Sequence, residues 1–189
     1  MSRAQNERNK PAMTPTFQYQ IDASLAADVG RRITRDGRIG EVCMMLQRPD
    51  GRIWCAAKHY YPGLIARLLT GGIHPGENSA DALLREIAEE TGLTPTRITP
   101  LFRVTYQSVV DFQTFAYLCQ VDDTMPIVHD VTEQIAHFEA LDAHQLRTRA
   151  AQLEALPAIH SADIGGTWHE WGVFRAVCHR TLSDLIIQG

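Results

Sequence analysis

An α/β fold built as one domain is predicted for this 189-residue chain by three observations. Short apolar or alternating runs bounded by turn signals recur between Phe17 and Val121, as strands do. Helical periodicity interrupts them briefly around Leu25 to Ile33 and again between Asn78 and Gly92, and takes over after Asp142. Apolar residues make up 44% of the chain, which is enough for an ample single core.

Residues 1–16 are polar, carry Pro11 and Pro15, and lack periodicity, so they read as a disordered tail ahead of one domain over 17–189. Phe17 to Ile21 alternates as a short strand. Asp22 or Ser24 is placed to cap a brief helix with Leu25, Val29 and Ile33 on one face. Gly37 then opens a hairpin, with strands Ile39–Gln47 and Ile53–Ala57 around the turn signal Arg48-Pro49-Asp50-Gly51. Lys58 to Gly63 is an aromatic loop, and Ile65 to Leu69 a strand. Beyond residue 97, two further strands are expected at Ile98–Thr105 and Phe112–Val121. Glu133 to Phe138 is a late strand. Asp142 caps a helix that Pro157 ends, residues 158–167 are loop, and Trp168–Ile187 is a last amphipathic helix.

Charge and cysteine usage narrow the class. The net charge is −4 and the pI about 6.0, so no chain-wide basic field invites nucleic acid. Cys43, Cys55, Cys119 and Cys178 have no zinc spacing and read as buried free thiols. With no secretory h-region and no apolar run near 18 residues, a cytoplasmic protein without membrane partners is expected.

Residues 71–93 are the informative stretch: a glycine-rich loop running into one short helix. Asn78 is a good N-cap, Asp81 sits at N3, and Gly92 stands where a C′ glycine stops a helix. Leu83, Leu84, Ile87 and Thr91 supply the expected buried stripe. Glu86, Glu89 and Glu90 crowd the other face. Like charges at these spacings cost roughly 0.2–0.5 kcal/mol per pair. Anions in the last turn also oppose the macrodipole, at roughly 0.3–1 kcal/mol each. A helix that carries such a cluster needs a compensating cation, and three carboxylates so spaced suit a hard divalent ion.

This stretch resembles the Nudix box, Gly-x5-Glu-x7-Arg-Glu-U-x-Glu-Glu-x-Gly-U with U aliphatic, at every fixed position. The matching residues are Gly71, Glu77, Arg85, Glu86, Ile87, Glu89, Glu90, Gly92 and Leu93. A chance match at a given start is on the order of 1 in 10⁹ at average residue usage. The resemblance implies an α/β/α sandwich around a mixed sheet, and hydrolysis of a diphosphate linked to a moiety X with Mg²⁺ or Mn²⁺. It makes Glu86 and Glu90 the main metal ligands and Glu89 a further ligand or the orienter of the attacking water. The Gly71 carbonyl completes the set, Arg85 holds the carboxylates, and Glu77 braces the loop–helix junction. In several relatives a late acidic residue helps activate water; Glu133 is the candidate, with Asp130 and Glu139 as alternatives. Many relatives dimerise, so a homodimer through the N-terminal strand or last helix is among the expectations.

Rival readings are a silent Nudix-fold binding or regulatory module and an isopentenyl diphosphate isomerase. The first usually loses box carboxylates, none of which is missing here. The second uses a cysteine, and Cys43, Cys55 and Cys119 lie in apolar runs. The side motifs that sort substrates within the family are absent. A small-molecule nucleoside diphosphate linked to X is the expected substrate, with a nucleoside triphosphate as the alternative. Tyr60, Tyr61 and Tyr106 are the expected aromatic wall for a base.

Overall fold

The computed structural model describes residues 15–108 and 110–188. The tail expected over 1–16 therefore lies, but for its last two residues, outside the described residues. The elements in chain order are β1 (Tyr19–Ser24), α1 (Ala27–Thr34), β2 (Gly40–Gln47), β3 (Ile53–Lys58), β4 (Arg67–Gly72), α2 (Ser79–Thr91), β5 (Arg97–Gln107), β6 (Phe112–Gln120), β7 (Ile135–Leu141), α3 (Ala143–Glu154), β8 (His160–Ser161), β9 (Gly166–Thr167) and α4 (Trp168–Gln188).

Seven strands form one sheet in the order β1-β5-β6-β2-β4-β3-β7. The β1–β5 and β2–β6 pairs are parallel and the other ladders antiparallel, so the sheet is mixed as expected. Its pleat sends alternate residues to two cores. Val42, Met44 and Leu46 point to the face covered by α2, where they meet Leu83 and Ile87. Cys43 and Met45 point the other way, to Leu146 of α3 and Phe174, Cys178 and Leu182 of α4. Two helical layers thus enclose one sheet. All four cysteines are buried and free.

Several elements depart from the sequence reading, each for a local reason. The β2–β3 hairpin pairs only at its base, Gln47 with Ile53, because β4 inserts between the two strands. That wedge sets the two strands apart and makes room for the site described below. The fourth strand begins later than expected, after a 3-10 turn at Pro62–Leu64 in which Leu64 has φ 52°. It then runs on through Gly71 and Gly72, which pair with Val42 and Glu41 as strand residues rather than loop. Residues 160–167, expected as loop, form the small β8–β9 hairpin. Asp142 does cap α3, in a reciprocal capping box with Gln145.

Leu84 was expected in the buried stripe of α2 and is instead half exposed. The buried arc is Ala82, Leu83, Glu86, Ile87, Glu90 and Thr91, so two of the three box glutamates lie along the edge of the buried face. At 100° per residue the buried arc runs from Ala82 to Thr91 with Glu86 and Glu90 inside it, and Leu84 falls just past its Thr91 edge.

One buried polar contact ties the last helix to the sheet. The His179 Nε2 accepts a 2.9 Å hydrogen bond from the Leu68 N–H of β4. His179 is fully buried, so Nδ1 carries the proton, and among the described residues it has no partner. Burial, with Arg149 and Arg67 nearby, pushes the imidazole pKa down to about 3. The unfolded chain therefore binds a proton between about pH 6.5 and 3 that the folded chain refuses, and stability falls as pH drops through that window. Urea unfolding of the wild type between pH 7 and 4 should show this loss, and His179→Gln, whose amide oxygen can still accept from Leu68, should show a shallower slope.

Candidate active site

The site is organised by two consecutive glycines at the end of β4. A Cβ on Gly71 would lie 2.0 Å from the Glu86 Cδ, so only glycine lets α2 lay that carboxylate against the strand. On Gly72 a Cβ would lie 2.6 Å from the Arg38 Nη1. Successive strand residues face opposite sides. One glycine therefore admits an anion on the α2 face and the other a cation on the opposite face.

Chain direction into α2 is set by Gly76, at φ 82°, and by Asn78, whose side chain accepts from the N–H groups of Ala80 and Asp81. The helix stops at Gly92 in the left-handed region. Between these ends Arg85 is the hub. Its Nε and Nη2 each donate to one Glu77 oxygen at 2.9 Å, and Nη2 also donates to the Gly72 carbonyl at 2.8 Å. Nη1 donates to Glu86 at 2.8 Å and to Glu89 at 3.1 Å. A planar fork with five donors can do this, and a lysine cannot. Glu77 in turn accepts from the His74 N–H at 3.0 Å, which closes the loop onto the helix. The Arg85 hydrogen bonds pull the Glu77 pKa down to about 2. The expected brace role of Glu77 thus has a geometric basis.

Glu90 is nearly enclosed, at 3% exposure. Burial raises its pKa to about 8, the nearby Lys58 ammonium opposing that rise and the Glu133 carboxylate adding to it. Burial likewise raises Glu86, against the pull of Arg85. Glu89 is more exposed than either. Glu133 comes to the same place from the far side of the sheet. Its side chain accepts from the Lys58 Nζ at 2.7 Å, and the same Nζ lies 3.7 Å from Glu90. Burial works against ionisation of Glu133, but the Lys58 hydrogen bond and charge win and hold its carboxyl below the usual range.

Glu133 stands not on a strand, as expected, but at the end of the 3-10 turn Val131–Glu133. Gln134 then turns through φ 55° before β7 begins, and its carbonyl accepts from the His59 N–H. A non-glycine residue held there costs about 1–2 kcal/mol. Of the alternatives to Glu133, Asp130 is occupied with the Thr132 N–H and hydroxyl, and Glu139 is paired with Arg149 toward α3.

The structure thus sets Arg85, Glu86 and Glu89 by Gly71 near the end of β4, and Glu90 and Glu133 by Lys58 toward its start. Sequence reasoning missed Lys58 and Arg67. Lys58 had been read only as the start of an aromatic loop, and only its position at the end of β3 places it between two carboxylates. Arg67 is buried, donates to the Tyr61 hydroxyl, the Leu68 carbonyl and Thr70, and lines a small cleft with Lys58 and Glu90. The aromatic wall is corrected at Tyr106, which packs in the core against Phe112 and Phe174. Tyr60 and Tyr61 both line a cavity beyond Lys58, Tyr61 while packed on Trp168 and Trp171.

Beyond Lys58 lies a cavity of about 340 Å³ on the opposite face from α2. Six cationic side chains line it, Arg32, Arg35, Arg38, Lys58, Arg67 and Arg175, against three carboxylates, Asp36, Glu41 and Asp163. Lys58 and Arg67 also line the cleft at Glu90 and so connect the acidic and basic ends of the site.

A NUDIX domain model matches residues 36–160. The chain belongs to the Nudix family. The expected enzyme class, a Nudix hydrolase, is the class its domain places it in. Three solved structures are similar to this chain. A pyrophosphohydrolase of Bacillus subtilis, BsRppH in a point-mutant form, is 15% identical with a TM-score of 0.50, over 82% of this chain and 84% of that one. An Ap4A hydrolase of C. elegans is 14% identical with a TM-score of 0.48, over 72% and 96% of the two chains. The NUDIX domain of Shewanella oneidensis NrtR, complexed with ADP ribose, is 17% identical with a TM-score of 0.48, over 59% and 77%. No curated protein sequence matches this chain. Among the described residues, no helix is long and apolar enough to cross a membrane.

The Glu90 environment makes a separable claim about folding. A buried acid whose pKa is raised in the folded state weakens that state above the unfolded value near 4.5. Glu90→Gln should therefore leave the metal-free protein at least as stable as wild type at pH 8, with the gap closing toward pH 5. Thermal melts at the two pH values read this directly, and a large loss of stability at pH 8 would make Glu90 a structural residue.

Proposed function

We propose that this chain hydrolyses the diphosphate bond of a nucleoside diphosphate linked to a moiety X, with Mg²⁺ or Mn²⁺. The observation that carries the reading is the juxtaposition at the end of β4. Box carboxylates are pressed against Gly71 on one face, and a cation-lined cavity begins at Gly72 on the other. A diphosphate ester carries two negative charges that Glu86 and Glu90 alone would repel.

The donor set fits a hard divalent ion. It consists of carboxylate oxygens from Glu86, Glu89, Glu90 and Glu133 and the carbonyl of Gly71, and oxygen is the ligand such ions take. Burial raises the pKa of Glu86 and Glu90 even with Arg85 and Lys58 beside them, so both carboxylates would gain from further positive charge. Among the described residues no three acidic, histidine or cysteine side chains already converge as a closed metal set, and Arg85 and Lys58 hold carboxylate oxygens in the meantime. When bound, the ions would neutralise the diphosphate and acidify the attacking water.

The chain's own residues supply position and charge. Arg85 fixes the rotamers of Glu86 and Glu89 and ties them to the β4 carbonyl, so the α2 carboxylates meet substrate already oriented. Glu133, kept ionised by Lys58, is the acceptor best placed to take a proton from water. Lys58 and Arg67, between the acidic cleft and the cavity, would face the charge that develops on the leaving phosphate. The nearly complete burial of Arg67 strengthens such an interaction.

A panel of ADP-ribose, NADH, nucleotide sugars, dinucleoside polyphosphates and dNTPs with Mn²⁺, read by product mass, tests the reading. A nucleoside monophosphate plus X-phosphate is expected. Glu86→Gln should remove most of that activity, by about 10²-fold or more. A monophosphate plus inorganic pyrophosphate from dNTPs alone would replace the proposal with a triphosphate pyrophosphohydrolase.

Millimolar Mn²⁺ or Mg²⁺ should also raise the melting temperature of the metal-free protein. The expected gain is about 2.7 kcal/mol at a hundredfold excess over Kd. The gain should shrink in Glu86→Gln, and a melt indifferent to both ions would count against the metal site.

A further inference from the structure

The cavity behind Gly72 holds more positive charge than a diphosphate already neutralised by metal requires. Of its six cations, Arg175 is paired with Glu41, Nη1 donating to both oxygens at 2.7 and 2.8 Å. Arg35 lies 3.6 Å from Asp36. Lys58 serves Glu133 and Glu90. Arg32, Arg38 and Arg67 have no carboxylate ion-pair partner among the described residues. Arg32 reaches only the Asp163 carbonyl, at 3.5 Å. Arg67 is buried on neutral partners, with Nε and Nη1 used and Nη2 without a partner among the described residues. The Arg175 Nε is also buried without an acceptor.

The backbone makes room for these groups at two glycines. Gly72 leaves space for the Arg38 guanidinium, whose Nη1, Cζ and Nε would lie 2.6–2.8 Å from a Cβ there. Gly165, at φ 66°, leaves the same kind of space for the stem of Arg32. Arg38 is otherwise exposed, and its guanidinium lies directly over the bare backbone of Gly72 at the cavity wall. Unpaired arginines lining one concave wall, with an orphaned buried N–H donor beside them, make an anion site. The scissile diphosphate belongs at the box glutamates, on the other face of β4. A second anion is therefore needed to answer the charge at this end.

We infer that the moiety X carries a phosphate of its own, which seats in this cavity on Arg32, Arg38 and Arg67. The inference rests on the proposed hydrolase reading for the position of the diphosphate, and it narrows the substrate class to nucleoside diphosphates linked to a phosphorylated X. An uncharged X would leave Arg32, Arg38 and Arg67 without an anionic partner in the cavity.

A matched pair of ligands that differ by one phosphate tests it: ADP-ribose and the same molecule phosphorylated on the terminal ribose. In wild-type protein with Mn²⁺, kcat/KM should favour the phosphorylated member by about tenfold or more. At equal concentration that member should also raise the melting temperature further. Arg38→Gln should bring both differences close to parity, and Arg38→Lys, which keeps the charge but loses the fork, should restore part of them. Melts without ligand establish that the variants fold. Equal turnover and equal shifts in wild type, or a preference unmoved by Arg38→Gln and by Arg32→Gln, would overturn the inference. Hydrolysis of both ligands without preference would sink the cavity assignment and leave the hydrolase reading. A strong preference in the melting shifts with neither ligand hydrolysed would do the reverse.

Discussion

The protein has to keep carboxylates against the face of a sheet, where water cannot fully solvate them. Everything near β4 answers that constraint. Gly71 gives up its side chain so that Glu86 can approach, Arg85 spreads its donors over Glu77, Glu86, Glu89 and a strand carbonyl, and Lys58 stands between Glu90 and Glu133. None of these is a strong stabiliser taken singly, since a buried charge recovers in pairing little more than it lost in desolvation. Their effect is to fix geometry. Glu86 and Glu89 are held in defined rotamers before substrate arrives, which is the condition under which electrostatic catalysis is effective.

Opposite charges are kept apart by the thickness of one strand. The α2 face of β4 gathers acid and the other face gathers base, and the backbone between them contributes no side chain at residues 71 and 72. The splayed β2–β3 hairpin is what makes this separation useful. With β4 wedged into it, Lys58 at the end of β3 and Arg67 at the start of β4 reach both compartments.

The family and most elements were legible in the sequence because the information was local. Asn78 and Gly92 mark the ends of α2 by cap chemistry, and the spacing of Arg85, Glu86, Glu89 and Glu90 survives without tertiary context. What failed depended on distant chain. Leu84 looked buried and Glu86 and Glu90 looked solvent-facing, because the direction of a helix face is set by what it packs on. Tyr106 looked like a ligand contact, but Phe174, more than sixty residues later, claims it for the core. Lys58 and the arginine cavity had no spacing signal at all, since the cations are scattered over α1, the loop after it, β3, β4 and α4.

The position of α4 in the chain gives the site an order of assembly. This helix comes last among the described elements, yet its Arg175 neutralises Glu41 on β2, and its His179 caps an N–H on β4. A nascent chain carrying the complete Nudix box and all seven strands of the sheet would still leave Glu41 uncompensated and the cavity without one wall. Five of the six cavity cations thus precede the box helix in the chain, and the wall that carries the sixth, Arg175, closes only when α4 docks.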